Sequence, residues 1–322
     1  MIYITREEIL KSLDYPSLIE KLREAFRIGC TVPARHHHEY ENPEEGIDST
    51  LLLMPSWEAG KHLGVKVVTV SPNNGRYGLP AIQGFYLLFD AHKGKPAAIL
   101  EAKTLTARRT AAASALASSY LSRKDASSLL MVGTGALAPE LVRAHLAVRS
   151  LRTVKIWGRS SDKAAELSKK LQGEFPDVQI TKARNLREEV PKASIVSCAT
   201  LSKTPLVKGE WLRGGQHLDL VGAYRPDMCE CDSRAVIRSR VYVDTIGGTR
   251  EGGDLAIPLQ KGVIDMGHVC GDLYSLTRGQ TSGRSFAGDI TLFKSVGHAL
   301  EDLAAAQLVA ERQLNNHNLV LQ

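Results

Sequence analysis

The feature that most constrains this chain is a six-residue junction, Gly133-Thr134-Gly135-Ala136-Leu137-Ala138. A short apolar run, Ser127 to Val132, leads into it, and a helical pattern leaves it toward Val148. In such a strand–loop–helix junction the first glycine makes the tight turn, and the second lets a pyrophosphate approach the backbone. Ala138 takes the third glycine's place at the helix–strand contact, and the N–H groups that open the helix hold the anion. A bare Gly-x-Gly also occurs in ordinary loops. Its flanks make Gly133, Thr134, Gly135, Ala136 and Leu137 candidate cofactor contacts here.

Strand and helix then alternate. Thr153 to Trp157 reads as a strand, Asp162 to Leu171 as a helix, and Val178-Gln179-Ile180 as a strand. A short helix at Leu186 to Val190 and strands at Ser194 to Ala199, Leu218 to Val221 and Val241 to Asp244 follow. This spacing dictates an α/β fold with a parallel sheet covered on both faces. Ala199, Thr200, Val221 and Gly222, where later strands end, are further cofactor candidates. The second strand of the set runs into Gly158-Arg159-Ser160. An NAD site puts an acidic residue there for the ribose hydroxyls. With Arg159, Ser160 and Lys163 instead, the expected cofactor is NADPH, with NADH as an alternative.

The residues before this region read differently. Thr5 caps a helix and Glu8 closes its capping box. Tyr15, Leu18, Ile19, Leu22 and Phe26 recur at helical spacing over Pro16 to Ile28, and Gly29 ends that helix. Leu51 to Met54, Leu63 to Val70 and Ala81 to Asp90 are β-like, with a turn at 90–96 and a partner strand near Ile99 and Leu100. Thr104 to Leu121 is a long helix of small residues. Leu292 to about Leu314 reads as a last helix whose Ala/Leu seam packs on this first domain. The expected division is therefore 1–120 with 293–322 against 121–292.

Composition narrows the partners. Lys plus Arg number 41 against 35 Asp plus Glu, a net charge of +6. No dense basic stripe interleaves with aromatics, so a nucleic-acid partner is not expected. No apolar run approaches the roughly 18 residues of a membrane helix. The start is acidic by Glu7 and lacks a signal-peptide pattern, so no membrane partner and a cytoplasmic location are expected. Five cysteines are an odd number, and the expectation is ordinary buried small residues in a reducing compartment. Cys229-Glu230-Cys231 is too tight for half a zinc site, and no metal is expected.

Several further motifs stand in register with these. They are Val32-Pro33-Ala34-Arg35, Leu53-Met54-Pro55, Gly64-Val65-Lys66-Val67-Val68, Leu79-Pro80 and Leu105-Thr106-Ala107-Arg108-Arg109-Thr110-Ala111-Ala112. Val221-Gly222 with Pro226, Gly288-Asp289-Ile290-Thr291 and Phe293-Lys294-Ser295-Val296-Gly297 complete the set. Through them the chain resembles the ornithine cyclodeaminase/mu-crystallin family over nearly its whole length. The resemblance implies a Rossmann-type NAD(P)-binding domain plus an α+β substrate-binding and dimerisation domain, assembled as a homodimer.

It also implies that Arg35, Lys66 and Arg109 hold the α-carboxylate of an amino or imino acid, with Lys66 and Arg109 as the catalytic candidates. The chemistry agrees, since a guanidinium grips a carboxylate with two parallel bonds and a lysine adds a point charge. His36-His37-His38 lacks metal-ligand spacing and is expected at the surface or facing a dimer partner. Asp289 is expected to hold its loop.

Departures from the family pattern choose between its activities. Cyclodeaminases carry an Asp after Val-Gly and a Glu just before Leu-Met-Pro. Here those places read Tyr224 and Leu52, which with Met54 form the expected substrate pocket. Without the two acids a diamine is poorly served. The resemblance then points to reduction of the cyclic imino acids Δ1-pyrroline-2-carboxylate, to L-proline, and Δ1-piperideine-2-carboxylate, to L-pipecolate. Alternatives are a 3-hydroxyproline dehydratase, with Ser49 or Thr50 near the ring, an alanine dehydrogenase, an ornithine cyclodeaminase, or a non-catalytic NADPH-dependent binder of mu-crystallin type.

Overall fold

Residues 1–320 are described in the computed structural model, with side chains through Gln313. In chain order the first elements are β1 (Ile2–Ile4), α1 (Arg6–Ser12), α2 (Tyr15–Ile28), β2 (His36–Tyr40), β3 (Ser49–Glu58) and β4 (His62–Val70). β5 (Ile82–Asp90), β6 (Lys95–Glu101) and the long α3 (Ala102–Leu121) follow. Next come β7 (Ser128–Val132), α4 (Leu137–Val148), β8 (Thr153–Trp157), α5 (Ser161–Glu174), β9 (Gln179–Lys182), α6 (Leu186–Glu189) and β10 (Ile195–Cys198). The remainder is β11 (His217–Leu220), α7 (Ser233–Ile237), β12 (Arg240–Val243), α8 (Gly253–Gln260), β13 (Val269–Asp272), α9 (Leu273–Thr277), β14 (Thr291–Lys294) and α10 (Ala299–Val320). The chain divides into two units, Met1–Arg109 with His298–Gln322, and Thr110–Gly297.

In the first unit the sheet order is β1-β6-β5-β4-β3-β2, antiparallel except for the β1–β6 pair. Burial alternates along its strands. Lys66, Val68, Tyr86, Leu88, Ala98 and Leu100 are buried, whereas Val65, Val67, Phe85, Leu87 and Ile99 between them are half-exposed or exposed. Helix α10 lies on β3, β4 and β5 and beside α1 and α2. The buried face therefore looks into helices, and the other face stays apolar and accessible. The Thr5–Glu8 capping box forms in full, and Asp14 caps α2 through the Ser17 N–H.

The second unit is an eight-stranded parallel sheet of order β13-β12-β14-β11-β10-β7-β8-β9. Leu130, Val132, Val196, Leu218, Leu220 and Val241 are buried in its core. The chain runs outward from β7 through β8 to β9, then returns to β10 on the other side of β7. That reversal makes a topological switch point at the carboxyl ends of β7 and β10, where this architecture binds ligands. The α/β Rossmann-type class expected from the alternation is the one observed.

Two expectations need correction. Residues 291–294 are a strand, not the start of the last helix; β14 is buried throughout between β11 and β12, and α10 begins only at Ala299. Four residues, Thr291-Leu292-Phe293-Lys294, are too few to carry a period that separates a buried strand from a helix. The histidines of His36–Tyr40 are exposed as expected, on the edge strand β2 that pairs with β3 through its backbone. The cysteines are not all buried: Cys30 is half-buried and Cys270 exposed.

Candidate active site

Sheet register places three candidates together. Met54 lies directly across from Lys66 and Leu52 across from Val68, so both pocket candidates on β3 share the Lys66 face. On the other side of β4, Lys66 pairs with Tyr86. Thr50 is on this same face, whereas Ser49 points to the opposite one and its hydroxyl bonds Ser71 Oγ at 3.1 Å.

Lys66 is buried, and its Nζ donates to Asp302 Oδ2 at 2.7 Å. Arg109, also buried, donates from Nε to Asp302 Oδ1 at 2.8 Å and from Nη1 to Glu301 Oε2 at 2.6 Å. These contacts use one of the three Lys66 donors and two of the five on Arg109. Burial and then the charge of Arg109 pull the Lys66 ammonium down to about 8, with Asp302 opposing and Arg35 adding to the depression. Burial works against the Asp302 carboxylate, but Arg109 and Lys66 hold it below its ordinary value. The same two acids outweigh burial at Arg109 and raise it. The charge of half-buried Arg35 is felt at Lys66 as well.

Glu301 and Asp302 are the residues sequence reasoning missed. Their signal is two acids in the first turn of a helix whose neighbours Leu300, Leu303 and Ala304 are all buried. Acids amid apolar positions on every side have no solvent face, and buried carboxylates require cations.

In the second unit the Gly133 loop fits a dinucleotide. Gly133 has φ +125°, and a Cβ there would stand 2.6 Å from the Ala199 carbonyl oxygen. Above Gly135 a Cβ would meet nothing within 4 Å, which leaves room for a pyrophosphate at the backbone. No side chain caps the start of α4, where the Ala138 N–H is held by the Gly135 carbonyl at 3.1 Å and Pro139 has none to offer. Ala138 is fully buried there.

Arg159, Ser160 and Lys163 stand exposed where β8 ends. Ser160 caps α5 by accepting the Lys163 N–H at 3.3 Å, and Lys182 Nζ reaches Ser161 Oγ at 2.8 Å. Asp162 is the acid of that first turn. The strand end itself carries no carboxylate, and Gly158 is needed because a Cβ would come 2.7 Å from Thr134 Cγ2.

Glu230, passed over between its two buried cysteines, organises the loops after β10 and β11. Its Oε1 accepts the Thr200 N–H at 2.6 Å and the Thr200 hydroxyl at 2.9 Å. Its Oε2 accepts the Gly222 N–H at 2.8 Å and the Ala223 N–H at 3.3 Å. Behind it, Asp254 Oδ1 accepts the Glu230 N–H at 2.6 Å, and Lys294 Nζ lies 3.0 Å from Asp254 Oδ2. Burial and then Asp254 push Glu230 up to about 7, against Lys294 and the backbone donors. Thr200 and Gly222 are thus brought together as expected, with Val221 buried beside them and Ala199 at the Gly133 loop.

Tyr224 lies in the second unit on the exposed stretch after β11, in a different unit from Leu52 and Met54. Asp289 does hold its loop, accepting the N–H groups of Ser285 and Phe286 at 3.1 and 2.9 Å.

The model of the ornithine cyclodeaminase/mu-crystallin family matches residues 3–317. An uncharacterized protein of Schizosaccharomyces pombe is 44% identical over 95% of this chain and 96% of its own. The Δ1-pyrroline-2-carboxylate reductase of Colwellia psychrerythraea is 35% identical over 96% of this chain and 98% of its own. Among solved structures, Thermococcus litoralis Δ1-pyrroline-2-carboxylate reductase in complex with NADH and L-proline superposes with a TM-score of 0.92. It is 34% identical and covers 98% of each chain.

Proposed function

The chain belongs to the ornithine cyclodeaminase/mu-crystallin family, and from that premise we propose that it is a Δ1-pyrroline-2-carboxylate reductase. It reduces the C=N bond of this cyclic imino acid to give L-proline, and the six-membered Δ1-piperideine-2-carboxylate, giving L-pipecolate, is a second substrate. The observation that carries the reading is the buried pair Lys66 and Arg109, held in place by Asp302 and Glu301 with further N–H donors to offer. That donor set suits a monocarboxylate. With Leu52 and Tyr224 where a diamine would need acids, it does not suit ornithine.

Arg109 and Arg35 bind the substrate carboxylate, and the remaining Lys66 donors hold it as a point charge. This fixes the ring and supplies rate through orientation. The fall of Lys66 to about 8 means that near neutrality it carries a proton it can pass to the imine nitrogen. Gly133, Thr134, Gly135, Ala136 and Leu137, with the Thr200 and Gly222 loops, would hold a nicotinamide dinucleotide, which supplies the hydride that C2 of the ring accepts. Arg159, Ser160 and Lys163 favour a 2′-phosphate, hence NADPH over NADH.

The accessible sheet face argues for a homodimer. Tyr3, Phe85, Leu87, Val67 and Leu53 share it by register, and the exposed rings of Tyr3 and Phe85 meet edge-on at 6.4 Å. An apolar sheet face of this extent is covered by a partner in a stable protein. An odd set of cysteines fits a reducing cytoplasm. The test is oxidation of NADPH with Δ1-pyrroline-2-carboxylate, with NADH, Δ1-piperideine-2-carboxylate and L-ornithine run beside it. Turnover of the two imines with NADPH favoured supports the reading, and turnover of ornithine alone contradicts it.

A further inference from the structure

Two acids support the cation group, but their contacts differ. Glu301 meets Arg109 through one oxygen, whereas Asp302 gives Oδ1 to Arg109 Nε and Oδ2 to Lys66 Nζ. Asp302 is fully buried in the first turn of α10, a place where the helix favours an anion. Its two oxygens therefore fix a strand residue, Lys66 on β4, and a helix residue, Arg109 on α3, by a single side chain. Neither cation can move without breaking a charged hydrogen bond out of reach of solvent.

We propose that Asp302 is the positioning residue of the substrate-carboxylate site, holding Lys66 on β4 and Arg109 on α3 in place through its two oxygens. The inference rests on the reductase reading above. It goes beyond that reading because Asp302 itself touches no substrate. The groups that face Lys66 are Asp302 from α10, Arg109 from α3, Arg35 from the segment before β2, and the Tyr86 phenol from β5. Burial raises the Tyr86 phenol far above neutrality, so it brings no charge. Of these charged neighbours Asp302 favours the ammonium, while both arginines oppose it. Removing the Asp302 charge should push the Lys66 titration further down. Lengthening the side chain should keep the charge but misplace both cations.

The test compares wild type, Asp302→Asn and Asp302→Glu in the full-length protein. It measures the pH profile of kcat/KM for Δ1-pyrroline-2-carboxylate, and binding of the planar, non-reducible analogue pyrrole-2-carboxylate by calorimetry. In Asp302→Asn the high-pH limb should move down by about one pH unit or more. KM and the analogue Kd should rise about tenfold, while NADPH affinity stays within about twofold. Asp302→Glu should keep the limb near wild type and still raise KM. Should Asp302→Asn fail to fold, Asp302→Glu decides the question through KM and the analogue Kd. A folded Asp302→Asn with an unmoved limb and unchanged KM overturns the proposal, as does Asp302→Glu with wild-type kinetics and analogue binding. A wild type that binds the analogue without turning over the imine defeats the reductase reading alone, and the analogue Kd of the variants then judges Asp302. A wild type that binds neither overturns both.

Discussion

Arg109 shows how a single residue can be legible in type and still hidden in its surroundings. An arginine among the small residues of α3 announces an anion, but its partners Glu301 and Asp302 lie almost two hundred positions away. No local pattern could supply them. Arg109→Ala removes the proposed carboxylate ligand and leaves two buried acids with one cation fewer. KM for the imine should rise by about tenfold or more, with a smaller fall in kcat, as steady-state kinetics will read. Unchanged kinetics would remove Arg109 from the site. Lys66 gives a pH dependence whose sign is fixed. Its ammonium is the binding form and its value is depressed to about 8, so kcat/KM should fall as pH rises through that value, well below the ordinary lysine range. A profile flat to pH 10 (roughly the unperturbed lysine value) would contradict this. At the cofactor end, Arg159→Ala should weaken NADPH by about tenfold and leave NADH nearly unchanged, as measured by the two KM values.

Among the elements, those with a full period or a chemical cap were readable from sequence, and those without were not. The α1 cap, the amphipathic α2, the glycine junction and the alternation from β7 to β10 all carry local signals of that kind. β1 is three residues long, β2 is a polar edge held by backbone pairing to β3, and β14 is a four-residue core strand. β1 and β14 take their structure from neighbours distant in sequence. The same is true of the loops after β10 and β11, whose shape depends on Glu230. Glu230→Gln replaces one acceptor oxygen with a donor and strands buried N–H groups, at about 1–3 kcal/mol for each unsatisfied group. A lower Tm and weaker NADPH binding are expected together, and a Tm loss with cofactor affinity intact would show that the loops keep their shape without it. Gly222→Ala is the harsher change. Its Cβ would fall 2.1 Å from both the N and O of Thr200, and backbone cannot yield as a side chain would. The expected loss is roughly 3 kcal/mol or more.

On the scale of the molecule, the first unit holds the buried cations, and the second is a parallel sheet whose switch point carries the glycine loop. The first also carries the apolar sheet face on which the proposed dimer rests, set by the same alternation that buries Lys66. Phe85→Glu places a charge at the centre of that face opposite Glu101 and should shift the protein to monomer, as light scattering on a sizing column will show. An unchanged mass would place the interface elsewhere. The central claim is hydride delivery to C2 of a five-membered imino acid. The measurement that tests it most directly uses NADPH deuterated at the transferring position of the nicotinamide, with Δ1-pyrroline-2-carboxylate as acceptor and the product analysed by mass spectrometry and chiral chromatography. The account predicts L-proline carrying one deuterium at its α-carbon. Proline without deuterium, or bound cofactor with no proline formed, would contradict it.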